Sequence, residues 1–297
     1  MSTSLSLFII IFTVVNILAI FWIIRWTSKK RPGESTQGDV TGHTWDGDLQ
    51  EYNNPLPRWW LWLFYITIVF TVIYFVFYPG LGNWRGQWGW SQERQYQAQM
   101  EQASEKYGPI FAAYARQPVP ELANNDKAMA SGQRLFLNYC ATCHGSDAGG
   151  AIGFPNLSDN DWLYGGDPQQ IKTSILEGRH GVMPALGAGL PPEKLDAITA
   201  YVIHLSGRDV DPQLIETGKQ LYTQLTCVAC HGADGKGNSA AGFPNLTDDI
   251  WLYGGSPGQI KETIKNGRSG KMPAHREFLG EEKAHLLAAY VYSLSNK

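Results

Sequence analysis

Two motifs of the form Cys-x-x-Cys-His contain all four cysteines of this 297-residue chain. Their residues are Cys140, Cys143 and His144 in the first motif and Cys227, Cys230 and His231 in the second. This spacing is the attachment signature of c-type haem, in which two thiols bond to the porphyrin and the adjacent histidine becomes an axial iron ligand. We therefore expect two covalently bound haem c groups and no disulfide framework.

A haem that only transfers electrons needs a second axial ligand, because an open iron position admits substrates. Of the five methionines, only Met183 and Met272 follow a haem motif. Each stands in a Met-Pro pair after Gly-Arg-x-Gly-x, and the proline restricts the backbone of the loop that holds the thioether. The sequence thus predicts His/Met ligation of both irons, with one methionine for each haem.

Histidines are the competing ligands. His180 lies three residues before Met183 and His275 three residues after Met272, so neither has an equivalent in the other half of the chain. Bis-histidine ligation is the alternative that they leave open. The remaining histidines stand outside any motif and are expected at the surface or partly buried; they are His43, His204 and His285.

The second half of the chain repeats itself. The run "GFPNLSDNDWLYGG" at 153–166 recurs as "GFPNLTDDIWLYGG" at 242–255, 89 residues later, whereas the haem motifs are 87 residues apart. Such self-similarity is typical of duplicated structural units. We expect two homologous domains, residues 126–208 and residues 209–297.

Helix signals recur in the same order in both repeats. Asp167 and Ser256 are predicted N-caps, each followed by a proline, and Gly178 and Gly267 are predicted to end those helices. Apolar periodicity predicts further helices over 127–139, 192–205, 212–225 and 281–294. Helix, haem motif, helix, methionine loop and helix is the order of a small class I cytochrome c.

In that family the first and last helices cross at a glycine and an aromatic residue. Gly132 with Tyr201, and Gly218 with Tyr290, are the pairs that the repeats suggest. A glycine inside a helix costs about 1 kcal/mol relative to alanine, so its presence at both equivalent places favours a close approach of backbones.

Two sets of residues near the motifs have alternative interpretations. Three basic residues are expected either to contact haem propionates or to be ordinary surface charges. They are Arg179, Arg268 and Lys271. The Trp-Leu-Tyr triplets at 162–164 and 251–253 are expected either to wall the haem crevice or to belong to the hydrophobic core.

Two uncharged apolar stretches of 20 residues, 5–24 and 59–78, precede the repeats. Each is long enough for a helix that crosses a bilayer. The first lacks the basic start and the cleavage site of a secretory signal, so we expect a retained membrane helix. Basic residues flank the segment between them, which places that segment in the cytoplasm and everything after residue 78 in the periplasm of a bacterial inner membrane.

These signals predict a mainly α protein with two transmembrane helices followed by two tandem class I cytochrome c domains. The predicted segments before the domains are helix 1 (1–26), a cytoplasmic loop (27–58), helix 2 (59–78) and a periplasmic connector (79–125). The connector is tryptophan-rich near the membrane, and it is expected to continue as a helix over 91–106 with Ser91 as its cap and a short second helix over 107–115.

Other functional classes receive little support. The net charge of −3 is no electrostatic footprint for nucleic acid. No nucleotide-binding loop, nucleophile constellation or copper-binding cysteine is present in the sequence. We therefore expect an electron carrier without catalytic residues of its own.

The segment "GHTWDGDLQEYNNPLPRWW" at 42–60 runs directly into the second apolar stretch and is followed by tandem haem domains. In this the chain resembles the dihaem CcoP subunits of cbb3-type cytochrome c oxidases. The resemblance implies electron transfer from soluble or membrane-bound c-type donors to a monohaem c subunit and a haem–copper subunit that reduces oxygen and pumps protons. Many relatives have one membrane helix here, so the stretch 5–24 is an addition.

Two alternatives of other classes remain. One is a membrane-tethered dihaem shuttle similar to cytochrome c4. The other is an electron-accepting subunit of a periplasmic dehydrogenase.

Overall fold

A computed structural model of the protein describes residues 1–30, 32–54 and 57–296. The chain forms two compact units, residues 1–104 and residues 105–297. Arg31, one of the basic residues used to orient the membrane segments, lies outside the described residues, as do Pro55 and Leu56 of the segment 42–60.

The first unit contains two long apolar helices, α1 (Thr3–Thr27) and α2 (Arg58–Phe77), close to the predicted spans. By length and composition both are candidates for crossing a membrane. Most of their large apolar side chains are exposed rather than packed in a protein core, which suits a lipid environment. The rings of Phe21 and Tyr65 lie 6.0 Å apart between centroids, so the two helices contact each other.

The segment between these helices contains an antiparallel hairpin of β1 (Val40–Trp45) and β2 (Leu49–Tyr52). Its turn places Asp46 at φ 53° and Gly47 at φ 92°, the left-handed region that an Asp-Gly pair tolerates. This hairpin is not among the predicted elements, although Asp-Gly between strand-forming residues is a recognised hairpin signal.

The connector forms one helix, α3 (Gln92–Ala115), followed by the short α4 (Val119–Leu122). Ser91 caps α3 as predicted, since its hydroxyl accepts a hydrogen bond from the backbone N–H of Arg94 at 3.2 Å. The predicted break into two helices near residue 107 is wrong, because α3 continues through Pro109. A single proline removes one hydrogen bond from a helix, and α3 accommodates that loss.

The repeats contribute eight helices and two strands within the described residues. The first repeat contains α5 (Asp126–Tyr139), α6 (Ala141–His144), α7 (Pro168–Glu177), β3 (Arg179–Met183) and α8 (Pro192–Leu205). The second contains α9 (Pro212–Gln224), α10 (Val228–His231), α11 (Pro257–Asn266), β4 (Arg268–Met272) and α12 (Arg276–Ser295).

The predicted helix ends of α7 and α11 are confirmed. The side chain of Asp167 accepts hydrogen bonds from two backbone N–H groups of α7, and Ser256 forms a capping box with Gln259. Gly178 and Gly267 end the two helices at φ 70° and 71°. Gly280, at φ 72°, interrupts α12, so its regular part begins at the predicted residue 281.

The last helix of each repeat packs on the other repeat. Helix α12 packs against α4, α5 and α7, whereas α8 packs against α9 and α11. A Cβ on Gly132 would lie 2.7 Å from Cβ of Tyr290, and one on Gly218 would lie 2.6 Å from Cβ of Tyr201. Both glycines therefore serve a close helix crossing, but the predicted partners are wrong because the closing helices are exchanged.

Two hydrophobic cores follow this exchange. The first combines Phe136 and Ile175 with Leu286 and Leu287 of α12. The second surrounds Tyr222 and packs it with Ile198 and Val202 of α8, together with residues of α11. The predicted limits 126–208 and 209–297 follow the sequence repeats, while each core takes its closing helix from across that limit.

Strands β3 and β4 form a two-stranded antiparallel ribbon where the chain crosses between the cores. In its register Arg179 pairs with Met272 and Met183 pairs with Arg268. The ribbon is not among the predicted elements. Each of its strands follows a helix that ends in glycine, and each strand ends at the methionine of a Met-Pro pair.

Candidate haem-binding sites

Each Cys-x-x-Cys-His motif forms a single helical turn after the first helix of its repeat. The backbone N–H of His144 donates to the carbonyl of Cys140 at 3.0 Å, and that of His231 donates to the carbonyl of Cys227 at 2.9 Å. Residues four apart lie on one face of a helix, so the turn presents the first thiol and the histidine ring to the same side. This is the arrangement that thioether attachment and axial ligation of one haem require.

A backbone carbonyl orients each motif histidine. Nδ1 of His144 lies 3.0 Å from the carbonyl oxygen of Pro155, and Nδ1 of His231 lies 3.0 Å from that of Pro244. Both imidazoles are buried. With the proton on Nδ1 donated to the carbonyl, the lone pair on Nε2 is free to bind iron, and the carbonyl fixes the ring plane.

These two prolines were not predicted as site residues. They belong to the repeated Gly-Phe-Pro-Asn-Leu run, whose recurrence at a fixed distance is the signal that marks them. The contact itself comes from the main chain, which leaves no trace in side-chain chemistry.

The two-residue difference between the motif spacing and the repeat spacing falls in the loop after the histidine. In the first repeat this loop closes with a bridge between Ala151 and Phe154, and in the second with a bridge between Asn238 and Phe243. The longer loop still returns the proline carbonyl to the same 3.0 Å contact.

Burial shapes the electrostatics of both motifs. Burial, with a smaller contribution from the neighbouring Cys143, raises the pKa of the Cys140 thiol to about 11. Burial also raises the pKa of Cys227 and lowers that of His231, the latter opposed by the hydrogen bond to Pro244. The thiols of Cys140 and Cys227 and the imidazole of His231 therefore favour their uncharged forms.

Each predicted methionine packs against the core of the other haem motif, not against the core of the motif that precedes it in the sequence. Met272 packs against the core that contains Cys140, and Met183 packs against the core that contains Cys227. The structure thus does not bring Met183 to the first motif or Met272 to the second.

The other histidines have partners or positions of their own. Nε2 of His285 lies 2.8 Å from the carbonyl oxygen of Gln117. The ring of His180 is 3.5 Å from the hydroxyl of Ser269 across the ribbon, and His43 lies 3.5 Å from Glu51 on the hairpin. His275 precedes α12, and its Nδ1 is buried without a hydrogen-bond partner among the described residues.

Two arginines at the start of the ribbon strands have matching environments. The guanidinium of Arg179 lies over the ring of Tyr164 at 4.8 Å, and its Nε donates to Ser174 at 2.9 Å. Arg268 lies over Tyr253 at 4.9 Å and donates to the hydroxyl of Thr263 at 3.0 Å. Lys271 pairs with His180 in the ribbon register. Propionate contact by these three residues stays a prediction.

The tryptophans of the repeated triplets are part of the two cores. Trp162 packs against the first core, and Trp251 packs against the second. Above Trp251 lies the guanidinium of Arg208, which donates to the carbonyl of Gly255 at 2.6 Å and has a buried Nη2 with no partner among the described residues. A buried guanidinium N–H without a partner, next to an aromatic ring, is able to donate a hydrogen bond to a haem propionate.

Taken together, these residues fit a haem c at each motif. The four cysteines are free for thioether bonds, the motif histidines are oriented, and each core contains a half-buried thioether. A mainly helical fold with such sites defines a c-type cytochrome.

Comparison with known families narrows this class. Residues 127–202 and 213–291 match the family described as cytochrome c oxidase, cbb3-type, subunit III, and residues 37–85 match the N-terminal domain of cytochrome oxidase-cbb3, FixP. The chain belongs to this family of cbb3-type oxidase subunits, known as CcoP or FixP.

Three relatives illustrate the extent of the similarity. The cbb3-type cytochrome c oxidase subunit CcoP of Rubrivivax gelatinosus is 45% identical over 98% of this chain and 94% of its own length. CcoP of Cereibacter sphaeroides is 37% identical over 90% of this chain and 97% of its own length. FixP of Sinorhizobium medicae is 39% identical over 89% and 97%, respectively. The first match covers all but about 2% of the chain, so it extends into α1.

Proposed function

We propose that this chain is the membrane-anchored electron-transfer subunit of a cbb3-type terminal oxidase and carries two covalent haem c groups. One observation supports it most directly: both motif histidines are buried and directed by a proline carbonyl at 3.0 Å. When bound, haem c supplies an iron centre that accepts and releases one electron.

The residues of the chain divide the work at each site. Cys140 and Cys143, and likewise Cys227 and Cys230, anchor the porphyrin. His144 and His231 would hold the iron of a bound haem c through imidazole, and Met183 and Met272 would hold it through a thioether, which would exclude oxygen as a ligand. The thioether favours reduced iron and so raises the potential of the haem. The buried residues around each motif exclude water. Few water molecules therefore have to reorient when an electron enters or leaves the site.

We assign oxygen reduction to a partner subunit. Among the described residues, no cluster of three or more His, Cys, Asp or Glu side chains is able to hold a further metal ion. The proposed partners are the haem–copper catalytic subunit, a monohaem cytochrome c subunit and c-type donors. In this arrangement the chain is a conduit in aerobic respiration.

The proposed location is the bacterial inner membrane, with the haem sites in the periplasm. Arg25, Lys29 and Lys30 follow the apolar part of α1, and Arg58 begins α2. Basic flanks of this kind are typical of the cytoplasmic side. The hairpin between α1 and α2 is then cytoplasmic, and the chain after α2 lies on the side where haem c is attached.

Haem content and co-purification test the proposal. We expect a pyridine–alkali spectrum to give two haems c per chain, and we expect the solubilised chain to migrate with b-type haem and copper. Migration alone would indicate a shuttle, and migration with a flavin or quinone cofactor would indicate a dehydrogenase subunit. Fewer than two haems c per chain would overturn the dihaem assignment.

The hairpin is the proposed docking element on the cytoplasmic face. Trp45, Leu49 and Tyr52 expose 57%, 63% and 65% of their surface, and exposed apolar side chains grouped on one element are typical of an interaction site. We expect Trp45→Ala with Tyr52→Ala to lower co-purification with the partner subunits. Asp46→Asn removes the negative charge from the turn, and asparagine tolerates the positive φ at this position.

A polar pair on the same hairpin provides the control. Thr44 and Gln50 are register partners, so Thr44→Ala with Gln50→Ala leaves the strand pairing in place. Undiminished assembly of the Trp45 and Tyr52 variant, or an equal loss in the control, would contradict docking through the aromatic side chains.

A further inference from the structure

Three exposed apolar side chains lie where the loop after the first haem motif contacts the second repeat. Ile152 and Phe154 expose 70% and 42% of their surface, and Ile250 exposes 44%. We call these three side chains the seam patch. Single exposed apolar residues are common on protein surfaces, whereas a group of them in one place is typical of an interaction site.

A backbone contact brings the members of the seam patch together from both repeats. The backbone N–H of Gly153, which stands between Ile152 and Phe154, donates to the carbonyl of Leu252 at 2.7 Å. Ile250 precedes Leu252 by two residues, which is at most about 7 Å of extended chain. The patch is therefore formed by the fold and not by one continuous stretch of sequence.

The two repeats differ at this place. Ala241 of the second repeat is equivalent to Ile152, and Asp161 of the first repeat is equivalent to Ile250. The equivalent junction therefore has a smaller residue and a charged residue instead of two isoleucines. Contacts that orient the motif histidines occur in both repeats. An apolar patch on one junction alone is better explained by a partner that contacts that junction.

Acidic side chains border the seam patch. Desolvation and then the negative charges of Asp248 and Asp159 raise the pKa of Asp161, so these three carboxyl groups from the two repeats lie close together. The side chain of Asp248 also accepts a hydrogen bond from the backbone N–H of Ile250 at 3.1 Å, which joins the acids to the patch.

These acids are available to a basic partner. No lysine or arginine among the described residues forms an ion pair with Asp159, Asp161 or Asp248. Complementary charge at the border of an interface steers partners toward it, and the unpaired carboxylates therefore favour a partner with lysine or arginine around its own contact surface.

We propose that the seam patch and its acidic border are the docking surface for a small basic c-type cytochrome that donates electrons to this chain. The apolar side chains supply the central contact, and the carboxylates attract the basic rim of the donor. A patch of this size suits a short-lived complex, because electron-transfer partners bury little surface and associate through charge steering.

Docking here places the donor beside the first candidate haem site. The loop of Ile152 and Phe154 continues into Pro155, whose carbonyl orients His144. The donor loses one electron and the haem at this site gains it, and no bond forms or breaks. The inference rests on the proposed dihaem function and adds the surface on which the donor binds.

Reduction of the unmodified chain by a defined probe tests the charge of the partner. Reduced mitochondrial cytochrome c, a small basic c-type cytochrome, is mixed with the oxidised full-length dihaem protein, and the second-order rate constant is measured by stopped flow. We expect the rate constant to fall with added salt and to fall about tenfold when the lysines of the probe are acetylated. A rate constant that is indifferent to salt and to acetylation would overturn the proposal.

Polar replacements test the apolar part of the surface. Ile152→Ser with Ile250→Ser should lower the rate constant about tenfold at both low and high salt, because ions do not screen an apolar contact. Ala241→Ser, at the position equivalent to Ile152, is the matched control and should leave the rate constant unchanged. An unchanged rate in the double variant, or an equal loss in the control, would overturn the docking surface.

Neutral replacements test the acidic border. Asp161→Asn with Asp248→Asn removes two charges and keeps a side-chain oxygen for the N–H of Ile250. The rate constant should fall about tenfold at low salt and much less at high salt. Glu216→Gln on the exposed surface of α9 is the control for loss of a carboxylate elsewhere. Equal effects of the two changes, or no effect of either, would contradict a role for the border.

Haem content separates this proposal from the proposed function. It is measured first on the unmodified chain, and fewer than two haems c per chain would contradict the proposed function. Two haems c, together with unchanged rate constants in the seam-patch variants, would overturn the docking surface alone. The measurement with the acetylated probe uses the unmodified chain, so it decides the charge of the partner even where a variant fails to fold.

Discussion

The two candidate haem sites share their inner contacts and differ at their outer edges. The distance from the histidine Nδ1 to the proline oxygen is 3.0 Å in both, and the arginine-to-tyrosine distances are 4.8 and 4.9 Å. The first core is covered by α4, whose Val119 and Leu122 are buried in it. The second is bordered by the inter-repeat linker, where Arg208 lies 5.4 Å from the Trp251 ring centroid.

The shared contacts are those that a bound cofactor requires. The differing contacts come from segments of the same chain that lie near each site. Contacts that orient the histidine or brace the ribbon are duplicated at the same geometry, although the loop lengths differ. Contacts at the outer edge depend on which segment passes by, the connector at the first site and the linker at the second. The variants below test how far that separation holds.

The largest effect is expected from truncating a closing helix. Leu286 and Ile198 are fully buried in the first and second cores, so replacing either by alanine should lower the free energy of unfolding by about 2–5 kcal/mol. Because the helices are exchanged, Leu286→Ala should loosen the site of His144 and Ile198→Ala the site of His231. Hydrogen exchange of peptides around each motif, read by mass spectrometry, checks this assignment. Faster exchange around His231 in the Leu286 variant would contradict the packing.

A smaller and unequal effect is expected at the two helix crossings. A Cβ on Gly218 would collide with the carbonyl oxygen of Ala197 besides approaching Tyr201, whereas one on Gly132 meets mainly the side chain of Tyr290. Overpacking costs about 1–3 kcal/mol, partly offset by about 1 kcal/mol of helix propensity. Gly218→Ala should therefore lower the free energy of unfolding more than Gly132→Ala does, as measured by denaturant titration. Equal losses would show that the second crossing relaxes as easily as the first.

The outer edge of the second site should respond to removal of its arginine. Arg208→Ala loses the hydrogen bond to Gly255 and the stacking on Trp251. We expect a loss of about 0.5–2 kcal/mol in the free energy of unfolding, with changed tryptophan fluorescence. Exchange around His144 should be unaffected, and an equal response at both sites would contradict the separation.

The smallest effect concerns the exposed ion pairs that brace α12. Hydrogen bonds from Lys172 and Arg276 lower the pKa of Glu281 from its usual 4.5. A carboxyl whose pKa is lower in the folded state stabilises the fold above its unfolded pKa, and that contribution is lost as the pH falls through the folded value. The stability advantage of the unmodified chain over Glu281→Gln should thus fade below about pH 4.5, and salt should reduce it. Glu282→Gln on the same exposed helix turn is the control for the loss of one carboxylate charge from α12.

Much of each haem site follows from the sequence, because its chemistry depends on particular side chains. The caps at Asp167 and Ser256 and the helix-ending glycines are local features with strong residue preferences, and the structure places them as predicted. The closing helices also begin where proline and glycine indicate.

The exchange of those helices does not follow from the sequence. The runs around Tyr201 and Tyr290 both begin Ala-Tyr-Val, so the local pattern does not indicate which repeat each helix closes. The choice depends on the path of the ribbon, a long-range feature that local patterns do not encode. The proline carbonyls at 155 and 244 escape sequence reasoning for a different cause, since every residue has a carbonyl and only the fold decides which one meets the imidazole.

The exchange also imposes an order on maturation. Ribosomes and translocons deliver a chain from its amino terminus, so the first haem motif emerges before β4 and α12 exist. Because α12 closes the first core and α8 closes the second, the core at the His144 motif waits for the last residues to be synthesised, whereas the core at the His231 motif has its closing helix ready when its own motif appears. The motif that is synthesised first is therefore the one whose core is completed last.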